Sequence, residues 1–160
     1  MVAGLLLTGG SSRRMGRDKA DLVVAGERLA DRAARVLQTV CDPVLEIGSG
    51  RSALETVGDD DPHAGPLAAI VTGAGALRTR GYEGPVLLLA VDLPFVDARL
   101  LELLVRHPSA DSVVPVAGGM RQSCCARYAS AALATAAELV ERGERAMHAL
   151  LSAVPVVEIT

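Results

Sequence analysis

Uninterrupted apolar runs of strand length alternate along this chain with stretches in which apolar residues recur at helical spacing. Residues 2–7 and 85–91 are apolar without alternation, the pattern of strands covered by helices on both faces, and are expected to be central neighbours. Further strands are predicted over 43–47, 55–57 and 112–116, and helices over 27–40, 65–77, 97–106 and 130–142, the third of them N-capped by Asp97. Beyond Val116, Ala117-Gly118-Gly119-Met120 is a turn signal, and 123–128 should return antiparallel. A helix over 144–152 and an edge strand over 154–159 complete the pattern. The fold class is α/β, with a mostly parallel sheet and one reversed strand. No shift of composition divides the chain, so 1–160 is expected to form a single domain.

Composition then removes several function classes. A formal charge of -3 argues against a broadly basic surface, and 2% aromatic residues leave no platform for stacking bases, so no nucleic-acid partner is expected. The opening MVAGLLLTGG lacks the positive segment and length of a signal peptide, and the longest uncharged stretch, 65–77, falls short of the roughly 20 residues of a membrane span. No membrane partner is expected. Cys41, Cys124 and Cys125 are odd in number, which fits a reducing cytoplasm, and the vicinal pair reads as packing rather than a redox couple. His63, His107 and His148 have no ligand spacing with them.

Candidate chemistry lies where predicted strands end. Gly9-Gly10-Ser11-Ser12-Arg13-Arg14-Met15-Gly16-Arg17-Asp18-Lys19 sets four cations against one carboxylate in a chain of net negative charge. Glycines after a buried strand let backbone amides approach an anion, and Arg and Lys supply charge, so the segment reads as a triphosphate loop; a solvated charged turn is the alternative. It lacks the Gly-Lys-Ser/Thr of a Walker A loop. Gly48-Ser49-Gly50-Arg51-Ser52-Ala53 fits a dinucleotide fingerprint, with a plain turn favoured. Asp92 ends an uncharged run, where a carboxylate should meet a cation; Mg2+ beside a triphosphate suits it, and a helix N-cap is the alternative. Asp59-Asp60-Asp61 reads as a solvated charge run. The loop, Gly48-Ser49-Gly50, Ala64-Gly65-Pro66-Leu67 and Asp92-Leu93-Pro94 should all face one crevice beyond the carboxyl ends of the strands.

Leu7-Thr8-Gly9-Gly10-Ser11-Ser12-Arg13-Arg14-Met15-Gly16-Arg17-Asp18-Lys19-Ala20 closely resembles the L-A-G-G-x-S-x-R-M-G-x-D-K-A signature of the MobA-like nucleotidyltransferases. Gly65-Pro66-Leu67-Ala68-Ala69-Ile70 is similar to that family's G-P-L-A-G-I, and Val91-Asp92-Leu93-Pro94-Phe95 to its C-D-x-P-F. The resemblance spans nearly the whole chain in order, including Gly143-Glu144-Arg145-Ala146-Met147. It implies a Rossmann-like three-layer fold of the nucleotide-diphospho-sugar transferase type, and transfer of GMP from GTP to the phosphate of molybdopterin with release of pyrophosphate. It also implies that backbone groups of Leu7, Thr8 and Gly9 hold guanine and ribose. Lys19, Arg14 and the amides of Gly10, Ser11 and Ser12 would bind the triphosphate, Asp59 and Gly65-Pro66-Leu67 would contact the nucleotide, and Asp92 would hold Mg2+. Lys19, Arg14 and Asp92 are thereby the expected catalytic set, and molybdoenzyme maturation proteins are expected partners.

The chain departs from the family pattern twice. A nucleotide-contacting Asn after the second strand is replaced by Gly48-Ser49-Gly50, and where many members continue into Asn-x-Asn-Thr-Pro the sequence stops at Val157-Glu158-Ile159-Thr160. Two alternatives therefore stay open: a cytidylyltransferase of the same fold acting on molybdopterin or another phosphate acceptor, and a non-catalytic nucleotide-binding relative.

Overall fold

The computed structural model describes residues 1–9, 21–58, 64–93 and 96–160. The triphosphate loop from Gly10 to Ala20, Asp59 with its acidic neighbours and His63, and Pro94-Phe95 lie outside the described residues.

The two continuous apolar runs form β1 (Ala3–Leu7) and β6 (Val86–Ala90), which pair in parallel with Leu5 opposite Leu88. β4 (Val44–Gly48) adds to the other side of β1, and β5 (Glu55–Gly58) to β4, both parallel. On the far side of β6 lie β9 (Cys125–Tyr128), β7 (Ser112–Ala117) and β10 (Val156–Ile159). The sheet order is β10-β7-β9-β6-β1-β4-β5, and within it β9 alone runs antiparallel.

Side chains of successive β1 residues point to opposite faces, and both faces are apolar. Leu5 and Leu7 enter a core shared with α2 (Pro66–Thr79), α4 (Ser130–Glu141) and α5 (Met147–Ala153). Leu6 enters the opposite core with α1 (Leu29–Gln38) and α3 (Ala98–Arg106). The result is the expected three-layer α/β sandwich. Leu5, Leu6, Leu87 and Leu88 are fully buried, each contributing about 1.5–3 kcal/mol of hydrophobic stabilisation. Gly73 lets α2 lie close on β1, since a Cβ there would sit 2.5 Å from Leu5 Cδ1. Asp97 caps α3 as predicted, its carboxylate accepting from the Leu100 amide at 3.0 Å. That assignment removes the N-cap alternative for Asp92.

Three features differ from the sequence reading. Helix α1 begins at Leu29 rather than at residue 27, because Val23–Val24 (β2) and Glu27–Arg28 (β3) form a small hairpin turned by Ala25 and Gly26, both at positive φ. The return strand after Ala117 is the short β8 (Met120–Arg121), which pairs with β7. β9 does return antiparallel to β7 as expected, and pairs on its other side with β6. Helix α5 starts three residues late because Gly143, at φ +88, closes α4: its N–H donates to Val140 O and that of Glu144 to Leu139 O.

The buried Arg127 on β9 fastens the connection between α3 and β7, donating to the carbonyls of Val105, His107, Ser109 and Asp111. Arg127→Leu would leave several of these acceptors without a donor and should lower unfolding free energy by about 3 kcal/mol or more in urea titrations. A loss under 1 kcal/mol would show that water replaces the guanidinium. Cys41, Cys124 and Cys125 are unpaired, and burial pushes the Cys41 and Cys125 thiols up to about 12. Both therefore behave as apolar packing groups.

Candidate active site

Because β1, β4, β5 and β6 are parallel, their carboxyl ends open on the same side of the sheet, where helix N-termini also lie. The described candidate residues gather there. Val91 N–H donates to Leu7 O at 3.0 Å, which brings the segment carrying Asp92 directly beside the end of β1. Thr8 N–H donates to Ile47 O, and a Cβ on Gly48 would lie 2.4 Å from Thr8 Oγ1 and 2.7 Å from Gly9 N. The turn after β4 thus abuts Thr8 and Gly9. Leu22, at the downstream end of the loop region, packs on a cluster of Leu29, Ala30 and Val91.

Gly65 opens α2 at φ +90, with Pro66 as the first helical residue. A Cβ at Gly65 would meet Arg145 O at 3.0 Å, so two motif segments eighty residues apart are in contact. Leu67 is fully buried among Leu7, Ile47 and other core residues. Its side chain holds the helix on the sheet and does not face the crevice.

Asp92 is exposed, in a turn two residues beyond the end of β6. Solvent reaches this carboxylate because the strand ends at Ala90. Its field is still felt locally. Burial first, and then the nearby Asp92 charge, push the Cys124 thiol up against a lowering hydrogen bond from Ser123.

Residues 4–156 match the MobA-like NTP transferase domain. The chain belongs to the MobA-like NTP transferase family. The resemblance carried by its leading motif is thereby borne out. A protein of Opitutus terrae called a probable molybdenum cofactor guanylyltransferase is 38% identical over 160 residues, covering 95% of this chain and 78% of the relative. Proteins of the same description from Chloroflexus aggregans and Mycobacterium bovis are 31% and 36% identical, covering 96% and 95% of this chain and 77% and 80% of theirs. Among solved structures, molybdopterin-guanine dinucleotide biosynthesis protein A of Archaeoglobus fulgidus superposes with a TM-score of 0.75 at 23% identity, covering 99% of this chain and 83% of that one. A 2-C-methyl-D-erythritol 4-phosphate cytidylyltransferase of Thermus thermophilus gives a TM-score of 0.69 at 17% identity, covering 99% and 88%. These two likenesses establish the shared fold.

In this MobA-like domain the post-β4 turn is organised by a residue absent from the sequence-based candidates. Glu46 is fully buried on β4. Its Oε2 accepts from Thr8 Oγ1 at 2.6 Å and from the amides of Gly50 at 2.8 Å and Arg51 at 2.7 Å. Its Oε1 accepts from the Ser52 amide at 2.7 Å and Ser52 Oγ at 2.6 Å. The dinucleotide reading of 48–53 fails on these grounds: the amides that could cradle a phosphate are spent on an internal carboxylate, and the chain continues into strand β5 rather than a helix. The sequence did hold a signal, since a lone charge inside Val44-Leu45-Glu46-Ile47 is costly unless many donors meet it.

Burial alone would raise the Glu46 carboxyl. The hydrogen bonds from Ser52, Thr8 and the Arg51 and Ser52 amides outweigh it and hold the group below its ordinary 4.5. A depressed folded-state value means that the stabilisation is complete above the unfolded value and is lost as pH falls through the folded one. The melting-temperature gap between wild type and Glu46→Gln should accordingly be largest near neutrality and narrow below about pH 4.5. A gap independent of pH would contradict an ionised Glu46.

Proposed function

We propose that this chain is a nucleotidyltransferase that transfers GMP from GTP to the phosphate of molybdopterin and releases pyrophosphate. The observation that carries this reading is the set of relatives, 31% to 38% identical over 95% or more of the chain, that are called probable molybdenum cofactor guanylyltransferases. The geometry is compatible with it, because Leu7-Thr8-Gly9, the Gly48 turn and the segment carrying Asp92 adjoin one another at the carboxyl ends of the strands.

In the proposed reaction an oxygen of the acceptor phosphate forms a bond to the α-phosphorus of GTP. The bond from that phosphorus to the bridging oxygen breaks in line, and pyrophosphate leaves with the electron pair. Such a transfer requires positioning and charge neutralisation rather than a covalent nucleophile. Lys19, Arg14 and the amides of Gly10, Ser11 and Ser12 neutralise the triphosphate, and Asp59, Gly65 and Pro66 contact the nucleotide. Leu7 O and Thr8 N–H are engaged in the sheet, so guanine and ribose contacts fall to Thr8 C=O and the Gly9 backbone.

Asp92 suits a magnesium ion by its chemistry. It offers one exposed hard-oxygen ligand beside the strand ends, and among the described residues no group of three or more His, Cys, Asp or Glu could cage a metal unaided. Mg2+ takes one or two carboxylates and completes its shell with phosphate oxygens and water. When bound there it would supply charge neutralisation to the nucleotide phosphates. Among the described residues no helix is long and apolar enough to cross a membrane. We place the reaction in the cytoplasm, where molybdoenzyme maturation proteins would receive the product.

The test is to incubate the protein with Mg2+, molybdopterin and each nucleoside triphosphate in turn, following pyrophosphate. Release with GTP is the expected result. Release with CTP alone would reassign the base, and nucleotide binding without turnover would replace the enzyme by a binding protein.

A further inference from the structure

We infer that Glu46 is a positioning residue that anchors the described residues flanking segment 10–20, Thr8 on one side and Asp21 on the other, and thereby sets the affinity for the nucleoside triphosphate, an inference that rests on the reading above. At the upstream end the carboxylate holds the hydroxyl of Thr8, the residue immediately before Gly9. At the downstream end the link runs through Arg51, whose amide donates to Glu46 Oε2. The Arg51 guanidinium reaches Asp21, the first described residue after the loop, with Nη1 3.4 Å from Oδ2, and its Nε donates to Ser49 Oγ at 3.0 Å. Arg28 approaches Asp21 from β3, 3.7 Å from Oδ1.

The chemistry of the site requires a carboxylate. Five donors converge on Glu46, three of them on one oxygen. A glutamine offers a single acceptor oxygen and would turn an NH2 donor toward either Thr8 and the Gly50 and Arg51 amides or toward Ser52. Aspartate is one methylene too short to span both sets. The outer ion pairs with Asp21 are half exposed and contribute little to stability, so their consequence is the placement of the loop end. A cation or amide displaced by an ångström from the phosphates loses much of its effect, which couples this scaffold to nucleotide affinity.

The experiment measures kcat, the KM for GTP, the KM for molybdopterin and the melting temperature in one series. Glu46→Gln should raise the KM for GTP by about tenfold or more and lower kcat as well, with the KM for molybdopterin within about twofold. Thr8→Val should behave similarly, and Thr8→Val combined with Glu46→Gln should be no worse than Glu46→Gln alone. Arg51→Ala and Asp21→Asn, whose side chains are half exposed, should each raise the KM for GTP about threefold, non-additively, with little change in melting temperature. These last variants decide the matter should Glu46→Gln not fold. A Glu46→Gln protein that melts early while its GTP KM is unchanged, or that raises both KM values equally, overturns the inference. If wild type binds GTP but releases no pyrophosphate, the transferase reading falls and the same variants are judged by their GTP Kd. Binding of no nucleoside triphosphate at all would overturn both.

Discussion

Asp92→Ala should reduce GTP-dependent pyrophosphate release by about a thousandfold or more while leaving the melting temperature unchanged. The two halves of this expectation come from different observations. Asp92 is exposed in a turn past β6, so removing its carboxylate opens no cavity. Its place beside the end of β1, fixed by the Val91 to Leu7 hydrogen bond, makes it the described carboxylate best set to hold a cation against the triphosphate. Asp92→Asn keeps an oxygen of similar reach but loses the charge, and should resemble Asp92→Ala rather than wild type. Turnover within tenfold of wild type in either variant would remove Asp92 from the metal site. An equal loss of melting temperature would show instead that the turn is structural.

What was legible in the sequence, and what was not, follows from the range of the forces involved. The strands β1 and β6 could be read because both faces of each are buried, which leaves an uninterrupted apolar run as a local signature. The N-cap at Asp97 is equally local, resting on an amide three residues away. The order of strands is not local. β9 sits between β6 and β7 because its residues match both neighbours in three dimensions, and nothing in Ser123 to Tyr128 distinguishes that from a simple hairpin. The β2–β3 hairpin was hidden for another reason: its strands are two residues each, Val23 is exposed, and its turn uses Ala25 at positive φ where Asn or Asp would have been the signal.

At the site, glycines and charges at strand ends stand out in local context, and parallel strands bring the described ones together, as with the Asp92 segment beside Leu7. Asp92 is exposed although its neighbours are apolar, because the strand stops two residues earlier, at Ala90. Glu46 carries only the weaker signal of a lone charge in an apolar strand, since its partners are mostly backbone amides of Gly50, Arg51 and Ser52, which no side-chain motif reveals.

Gly48→Ala should be the most damaging single-methyl change at the site, lowering unfolding free energy by about 2 kcal/mol and raising the KM for GTP by about tenfold or more. The added Cβ would lie 2.4 Å from Thr8 Oγ1 and 2.7 Å from the Gly9 nitrogen, at a backbone φ of +154. Neither neighbour can retreat easily. Thr8 Oγ1 is held by Glu46 at 2.6 Å and the Thr8 amide by Ile47 O, so the strain passes into the upstream end of the triphosphate loop. Gly81→Ala supplies the comparison, because Gly81 closes α2 at φ +84 with open space around its Cα, and its cost is backbone strain of about 1 kcal/mol. Both variants should melt earlier than wild type, but only Gly48→Ala should lose affinity for GTP. If the two shift the KM alike, the contact between the post-β4 turn and Thr8-Gly9 has no bearing on the nucleotide.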